Sequence, residues 1–216
     1  MSLSDKFLYW SAWILCRIIF TFYNRMAVMG LKRALKNDGP VIIAANHCSN
    51  LDPIIIGCAY PRRLRYLAKS SLFKIPLLGT LIKWLGAIPA KREDVQGAAS
   101  ALKQLISILE AGESVLVFPE GSRSSDGKLQ PLEEGVAMLS AKTGAAIVPV
   151  WVEGTFKALP KYAKVFKPYK IIVDFGEALD PKDFKGKSSS SKELRRLITE
   201  EVAKRLSALR EEVENY

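Results

Sequence analysis

His47 is the only histidine in the 216 residues, and Asp52 follows it five positions later. Imidazole is the side chain whose unperturbed pKa lies in the neutral range, so any proton transfer by a histidine near pH 7 falls to this residue. The run Asn46-His47-Cys48-Ser49-Asn50-Leu51-Asp52-Pro53 is polar and turn-rich. It follows Pro40 to Ala45, an apolar and β-branched stretch that reads as a buried strand. Asp52-Pro53 has the form of an N-cap followed by proline at the first helical position, opening a helix through Ile54, Ile55, Ile56 and Cys58. His47 is therefore expected just past a strand's carboxyl end, where α/β sheets bind ligands. A turn plus a helix start spans the gap and lets Asp52 fold back onto one ring nitrogen, leaving the other as a general base. A plain N-cap beside a structural histidine would use the same residues without chemistry.

A second block weighs against the plain explanation. Phe118-Pro119-Glu120-Gly121-Ser122-Arg123-Ser124 follows another apolar run, Ser114 to Val117. Together the two blocks resemble the paired signature of the glycerolipid acyltransferase family, NHxSxxD followed by FPEGxRS. Gly86-Ala87-Ile88-Pro89-Ala90-Lys91-Arg92 stands in the place of the family's second block, and Val148-Pro149-Val150 with Gly154-Thr155 resembles its fourth. The resemblance covers roughly residues 40 to 155. It implies transfer of a fatty acyl group from acyl-CoA or acyl-carrier protein to a lysolipid, 1-acylglycerol-3-phosphate first, giving phosphatidic acid. It also implies that Glu120 faces the acceptor's hydroxyls.

The residues suit that reaction on their own terms. A thioester expels a thiolate, whose parent thiol has a pKa of about 8.5, so neither a covalent intermediate nor a metal is required. A base for the attacking hydroxyl and donors for the developing oxyanion suffice. His47 with Asp52 supplies the base. Lys69, in Leu67-Ala68-Lys69-Ser70, or the turn amides of Cys48 and Ser49, are candidates for the oxyanion or donor contact. Arginine's planar fork suits a phosphate. Arg123, beside Gly121 and Ser122, is the leading anion contact, with Arg92 second. Cys48 adjoins His47, but neighbouring side chains point apart and a small buried cysteine is the commoner fate. Ser122 lacks a G-x-S-x-G elbow. Cys16, Cys48 and Cys58 form no C-x-x-C, and with one histidine no metal site is expected. Scattered cysteines in odd number suit a reducing, cytosol-facing compartment.

The formal charge of +10 is unevenly spread. Between Asp52 and Glu93 there is no acidic residue, while Arg62, Arg63, Arg65, Lys69, Lys74, Lys83, Lys91 and Arg92 fall there. A second basic run comprises Lys157, Lys161, Lys164, Lys167 and Lys170. Such stretches suit an anionic partner, and no nucleic-acid motif accompanies them. Phe7 to Tyr23 is almost wholly apolar, with Tyr9, Trp10, Trp13 and Tyr23 as interfacial aromatics. As a helix it would be about 26 Å long, short of a hydrocarbon core of about 30 Å, and Arg17 sits near its middle. A helix lying in one leaflet of an anionic membrane is expected, on the cytoplasmic face of the inner or plasma membrane. Leu72 to Leu85 would either be core or wall an acyl-chain groove, the role such a segment has in the resembling family.

The rest alternates helix and strand. Helices are expected from Asp94 to Gly112, from Glu134 to Thr143, and from Ser190, with Glu193 completing a capping box. Strands are expected over 114–118, 146–152 and 170–175, and a mobile polar segment over 180–191. The pattern predicts an α/β domain over 26–216, a mixed and largely parallel sheet flanked by helices, preceded by the membrane-binding helix in 1–25. The function expected is a membrane-associated acyltransferase with no cofactor beyond its acyl co-substrate and no nucleic-acid partner. An enzyme for another lysolipid, or a non-catalytic lipid-binding protein, is the alternative.

Overall fold

The computed structural model describes residues 3–90, 95–163, 165–184 and 186–216. Its strands are β1 (Ala27–Met29), β2 (Val41–Ala45), β3 (Leu64–Lys69), β4 (Ala87–Ala90), β5 (Ser114–Val117), β6 (Ala146–Glu153) and β7 (Ile172–Phe175). Its helices are α1 (Leu3–Tyr23), α2 (Leu31–Ala34), α3 (Asp52–Ala59), α4 (Leu78–Trp84), α5 (Val95–Glu110), α6 (Gly135–Thr143), α7 (Thr155–Ala158) and α8 (Ser191–Glu214). Short 3₁₀ turns occupy Ser70–Lys74 and Pro181–Phe184. Lys91, Arg92, Asp94 and Lys164 lie outside the described residues.

The seven strands form one sheet in the order β1-β7-β6-β2-β5-β3-β4. Every neighbouring pair is parallel except β6 with β7. The mixed, largely parallel sheet expected from the sequence is thus present. The chain leaves β2 by α3, builds β3 and β4 outward, returns to insert β5 between β3 and β2, and then adds β6 on the other side of β2. The order reverses beside β2, and crevices outside the carboxyl ends of strands at such a point are where open α/β sheets bind ligands. Both sequence blocks leave adjacent parallel strands at that edge, one after Ala45 and one after Val117.

Both faces of the sheet are covered, which is why β2 reads as a continuous apolar run rather than an alternation. Val41, Ile43 and Ala45 pack towards α1 and α3, while Ile42 and Ala44 face the cluster of α5, α6 and α8. Along α8, Ile198, Val202, Leu206, Leu209 and Val213 recur at spacings of three and four and form the buried stripe that holds the helix to the body. Its capping is shifted by one residue. Ser190 Oγ accepts from Glu193 N at 3.2 Å as expected, but the Glu193 carboxylate accepts from Ser189 N and Oγ, not from Ser190. The polar 180–191 segment contains the 3₁₀ turn Pro181–Phe184, and a two-way bridge between Leu179 and Ile147 secures its approach.

Helix α1 has two apolar faces. Tyr9, Ala12, Cys16 and Phe20, spaced three and four apart, are buried. Phe7, Ile14, Leu15, Ile18 and Phe22 are exposed. Arg17 is accommodated by donating to the Cys58 carbonyl at 3.0 Å, beside Trp13, whose indole donates to the Gly57 carbonyl at 2.8 Å. Both acceptors lie on α3, so the N-terminal helix packs on the element that carries Asp52. Among the described residues, no helix is long and apolar enough to cross a membrane.

Candidate active site

The turn after β2 is held at nearly every polar group. Asn46 continues the ladder past the strand's end with its side chain, donating to the Val152 carbonyl at 3.0 Å and accepting from Val152 N at 2.7 Å. His47 then projects from the sheet edge, and its ring stacks on Phe118 with centroids 3.9 Å apart and planes 18° apart. Its Nδ1 lies 2.8 Å from Asp52 Oδ2. That contact fixes the ring and leaves Nε2 for the cavity, the arrangement of a base with an orienting carboxylate.

Asp52 departs from the N-cap expected of it. It is the first residue of α3, Leu51 occupies the cap, and the fully buried carboxylate turns back over the turn. Oδ2 accepts from Cys48 N and Ser49 N at 2.8 Å each, in addition to His47. The same two bonds remove the Cys48 and Ser49 amides as oxyanion donors, since each already has its acceptor. Ser49 Oγ ties the turn to the Leu159 carbonyl at 2.7 Å. Cys48 is buried with Sγ 3.2 Å from Thr155 Oγ1. Burial, reinforced by the Asp52 carboxylate, pushes its thiol up to about 12. A thiol in that state is a poor nucleophile at neutral pH.

The second block locks His47 from the other side. Glu120 Oε1 accepts from His47 N at 2.6 Å, and Oε2 accepts from Gln130 N at 2.8 Å. Ser124 N donates to the His47 carbonyl at 2.8 Å, so both main-chain groups of His47 are bound by the loop after β5. Glu120, expected to face the acceptor's hydroxyls, instead turns its carboxylate inward and is absent from the cavity wall. Burial raises its pKa, and the hydrogen bonds from Gln130 and His47 pull in the opposite direction. Gly121 has φ +68°, a conformation that favours glycine, and a Cβ there would press on the Glu133 carboxylate.

A cavity of about 750 Å³ opens in front of His47. His47, Lys69, Gly121, Ser122 and Arg123 all line it, which brings most of the residues singled out from sequence into one site. Leu72, Leu78 and Ile82 contribute apolar wall, so the 72–85 segment faces the cavity with part of its surface. Arg123 is half-buried, with Nη1 donating to the Lys161 carbonyl at 3.1 Å. Arg92 lies outside the described residues. Among the described residues, no cluster of His, Cys, Asp or Glu has the form of a metal site. An imidazole with an orienting carboxylate, an apolar wall and cations around one opening can deprotonate a hydroxyl beside a bound anionic amphiphile.

The acyltransferase family model matches residues 25–153. The chain belongs to that family. It is 35% identical over 142 residues to a chloroplastic 1-acyl-sn-glycerol-3-phosphate acyltransferase of Arabidopsis thaliana, a match covering 66% of this chain and 39% of the relative. It therefore spans about two fifths of the length of that plant relative. The 1-acyl-sn-glycerol-3-phosphate acyltransferase of Bacillus subtilis is 32% identical over 180 residues, 82% of this chain and 85% of the relative. The crystal structure of the 1-acyl-sn-glycerophosphate (LPA) acyltransferase of Thermotoga maritima superposes with a TM-score of 0.74. That match has 29% identity and covers 95% of this chain and 81% of that one.

Sequence reasoning missed Asn46 as a strand-end clamp, Phe118 as the plate behind His47, and Lys161 on the cavity wall. Asn46 and Phe118 are the first residues of their two blocks, which is a usable signal. Lys161 lies 38 residues from Arg123, and only the fold brings them together.

Proposed function

We propose that the protein transfers a fatty acyl group from the thioester of acyl-CoA or acyl-carrier protein to the free hydroxyl of 1-acylglycerol-3-phosphate, forming phosphatidic acid. The observation that carries this reading is the His47–Asp52 pair at the mouth of a cavity with both apolar and cationic walls. Relatives named for this reaction support it. His47 Nε2 takes the hydroxyl proton as the oxygen attacks the thioester carbonyl. The tetrahedral intermediate then collapses, its C–S bond breaks, and the imidazolium returns the proton to the departing thiolate. Asp52 holds the imidazole in the tautomer this needs and stabilises its charged form. Glu120 acts as a positioning residue through the His47 amide. Lys69 is the proposed oxyanion or donor contact, and Gly121, Ser122 and Arg123 bind the acceptor, with Arg92 assigned there from sequence alone. No cofactor beyond the acyl co-substrate enters the scheme.

The reaction is proposed to take place on an anionic membrane, facing the cytoplasm. Support comes from the exposed apolar face of α1 and from the basic residues, worth about 1 kcal/mol each near anionic headgroups. The test is turnover by purified protein in detergent with both donors and a panel of lysolipids. Acylation of 1-acylglycerol-3-phosphate ahead of other acceptors is expected. Preference for a phosphate-free lysolipid, or binding of lipid without turnover, would refute it.

A further inference from the structure

Arg123 has a second cation beside it. Lys161, three residues beyond α7, lines the same cavity as Arg123, His47 and Lys69. The two side chains clasp each other's backbone: Arg123 Nη1 donates to the Lys161 carbonyl and Lys161 Nζ to the Arg123 carbonyl, both at 3.1 Å. The clasp places both cationic side chains on one wall of a cavity that no carboxylate lines among the described residues. Two cations on such a wall favour an anion bound between them. Each of these bonds uses one of the three ammonium donors or one of the five guanidinium donors, leaving capacity on both. The loop is also fixed on its other side, where Ser49 Oγ holds the Leu159 carbonyl. Lys161 is thus two residues from a direct bond to the turn that carries His47.

We infer that Lys161 is the second cation for the acceptor's phosphate, gripping it jointly with Arg123. The inference rests on the acyltransferase reading above. A phosphate monoester carries about −1.5 to −2 charges at pH 7. One guanidinium neutralises only part of that, and an ammonium held at the adjoining edge matches the remainder. Because the charge sits at the headgroup end of the site, Lys161 separates phosphorylated lysolipids from neutral ones and leaves the acyl donor alone.

Lys161→Met tests this: the substitution keeps the apolar stem and the Lys161 carbonyl that orients Arg123, and gives up the ammonium together with its bond to the Arg123 carbonyl. Lys161→Arg restores the charge. Two measurements on the full chain in detergent decide the matter. One is binding of glycerol 3-phosphate; the other is steady-state kinetics with 1-acylglycerol-3-phosphate and with phosphate-free monoacylglycerol, each donor varied in turn. Lys161→Met should weaken glycerol 3-phosphate binding and raise the KM of the phosphorylated acceptor by about tenfold, the low end for a charge-assisted hydrogen bond. The fall in kcat should be smaller, the donor KM should hold, and Lys161→Arg should recover most of the loss. The penalty on the phosphorylated acceptor should exceed that on monoacylglycerol by the same factor. Unchanged headgroup binding in Lys161→Met, a raised donor KM alone, or equal losses on both acceptors would overturn the proposal. A wild-type protein that binds glycerol 3-phosphate through Lys161 yet acylates no lysolipid would refute the enzymatic reading and leave the anion site standing. Failure of the wild type to bind glycerol 3-phosphate would overturn the site whatever the turnover.

Discussion

The turn at 46–52 and the segment 72–85 border the same cavity and are built on opposite principles. In the turn, Asn46, His47, Cys48, Ser49 and Asp52 each have a named hydrogen-bond partner, and Asp52 is wholly buried. In the segment, Leu72, Leu78 and Ile82 offer apolar surface to the cavity beside the single cation Lys74, and Ile75, Leu77 and Trp84 stand exposed. Proton transfer depends on a donor–acceptor distance known to tenths of an ångström, which directional bonds can hold. Hydrocarbon binding depends on area, which is non-directional. Substitutions on the apolar wall are therefore expected to cost less than substitutions in the turn.

The sharpest way to break this contrast is at Asp52. Asp52→Ala should lower kcat by about 10²- to 10⁴-fold, the usual worth of general-base catalysis. It should also reduce stability, because the buried Cys48 and Ser49 amides each lose an acceptor at about 1–3 kcal/mol. Asp52→Asn separates the two effects in part: with its amide oxygen in the place of Oδ2 it can still accept from those amides and from His47 Nδ1, so the stability loss should be smaller than in Asp52→Ala, while activity remains low because the negative charge that stabilises the imidazolium is gone. Glu120 comes next. Glu120→Ala should cost stability by the same orphaned-amide argument and about 10²-fold in kcat, because an ångström of drift in His47 suffices for that. Glu120→Gln, which keeps one acceptor oxygen, should fall between the alanine variant and wild type in thermal unfolding. A Glu120→Ala protein that kept its kcat but lost acceptor affinity would return the carboxylate to the substrate.

Smaller effects are expected where contacts are apolar. Truncating α1 would strip Tyr9, Ala12, Cys16 and Phe20 from the core, so the informative changes are on its outer face. Phe7→Ser and Ile14→Ser should each weaken flotation with anionic vesicles by about tenfold or more, at roughly 1.5–3 kcal/mol per side chain. Activity on acceptor dispersed in detergent should be unaffected. Equal flotation of the variants and wild type would move the membrane contact elsewhere, with 72–85 the next surface to test. The smallest effect belongs to Cys48. Its pKa of about 12 leaves on the order of one thiolate in ten thousand at pH 8, so Cys48 should resist alkylation in the folded protein. Cys48→Ala should stay within about threefold of wild-type turnover, and a folded but inactive variant would revive a thiol mechanism.

What the sequence revealed follows the range of the forces involved. β2, β5 and β6 were legible because strands buried on both faces read as short apolar, β-branched runs. The insertion of β5 between β3 and β2 was not, since strand order is set by pairings distant in the chain. The His47–Asp52 contact was legible because five residues span a turn and a helix start. The direction of the Glu120 carboxylate was not, because its partner His47 N lies 73 residues away. The same holds for the two turn amides: nothing in the motif says that Asp52 has already engaged them. Apolar composition in α1 signalled a membrane-lying helix, and the helix presents one apolar face to the core and another to the exterior.

Thiol release from the acyl donor by His47→Ala, in the presence of acceptor and with folding verified by thermal unfolding, tests the central assignment most directly. His47 is the only imidazole in the chain. Loss of about 10²- to 10⁴-fold in turnover, with an unfolding transition close to wild type, is the predicted result. Near-wild-type thiol release and product formation by the same variant would contradict the assignment of His47 as the base.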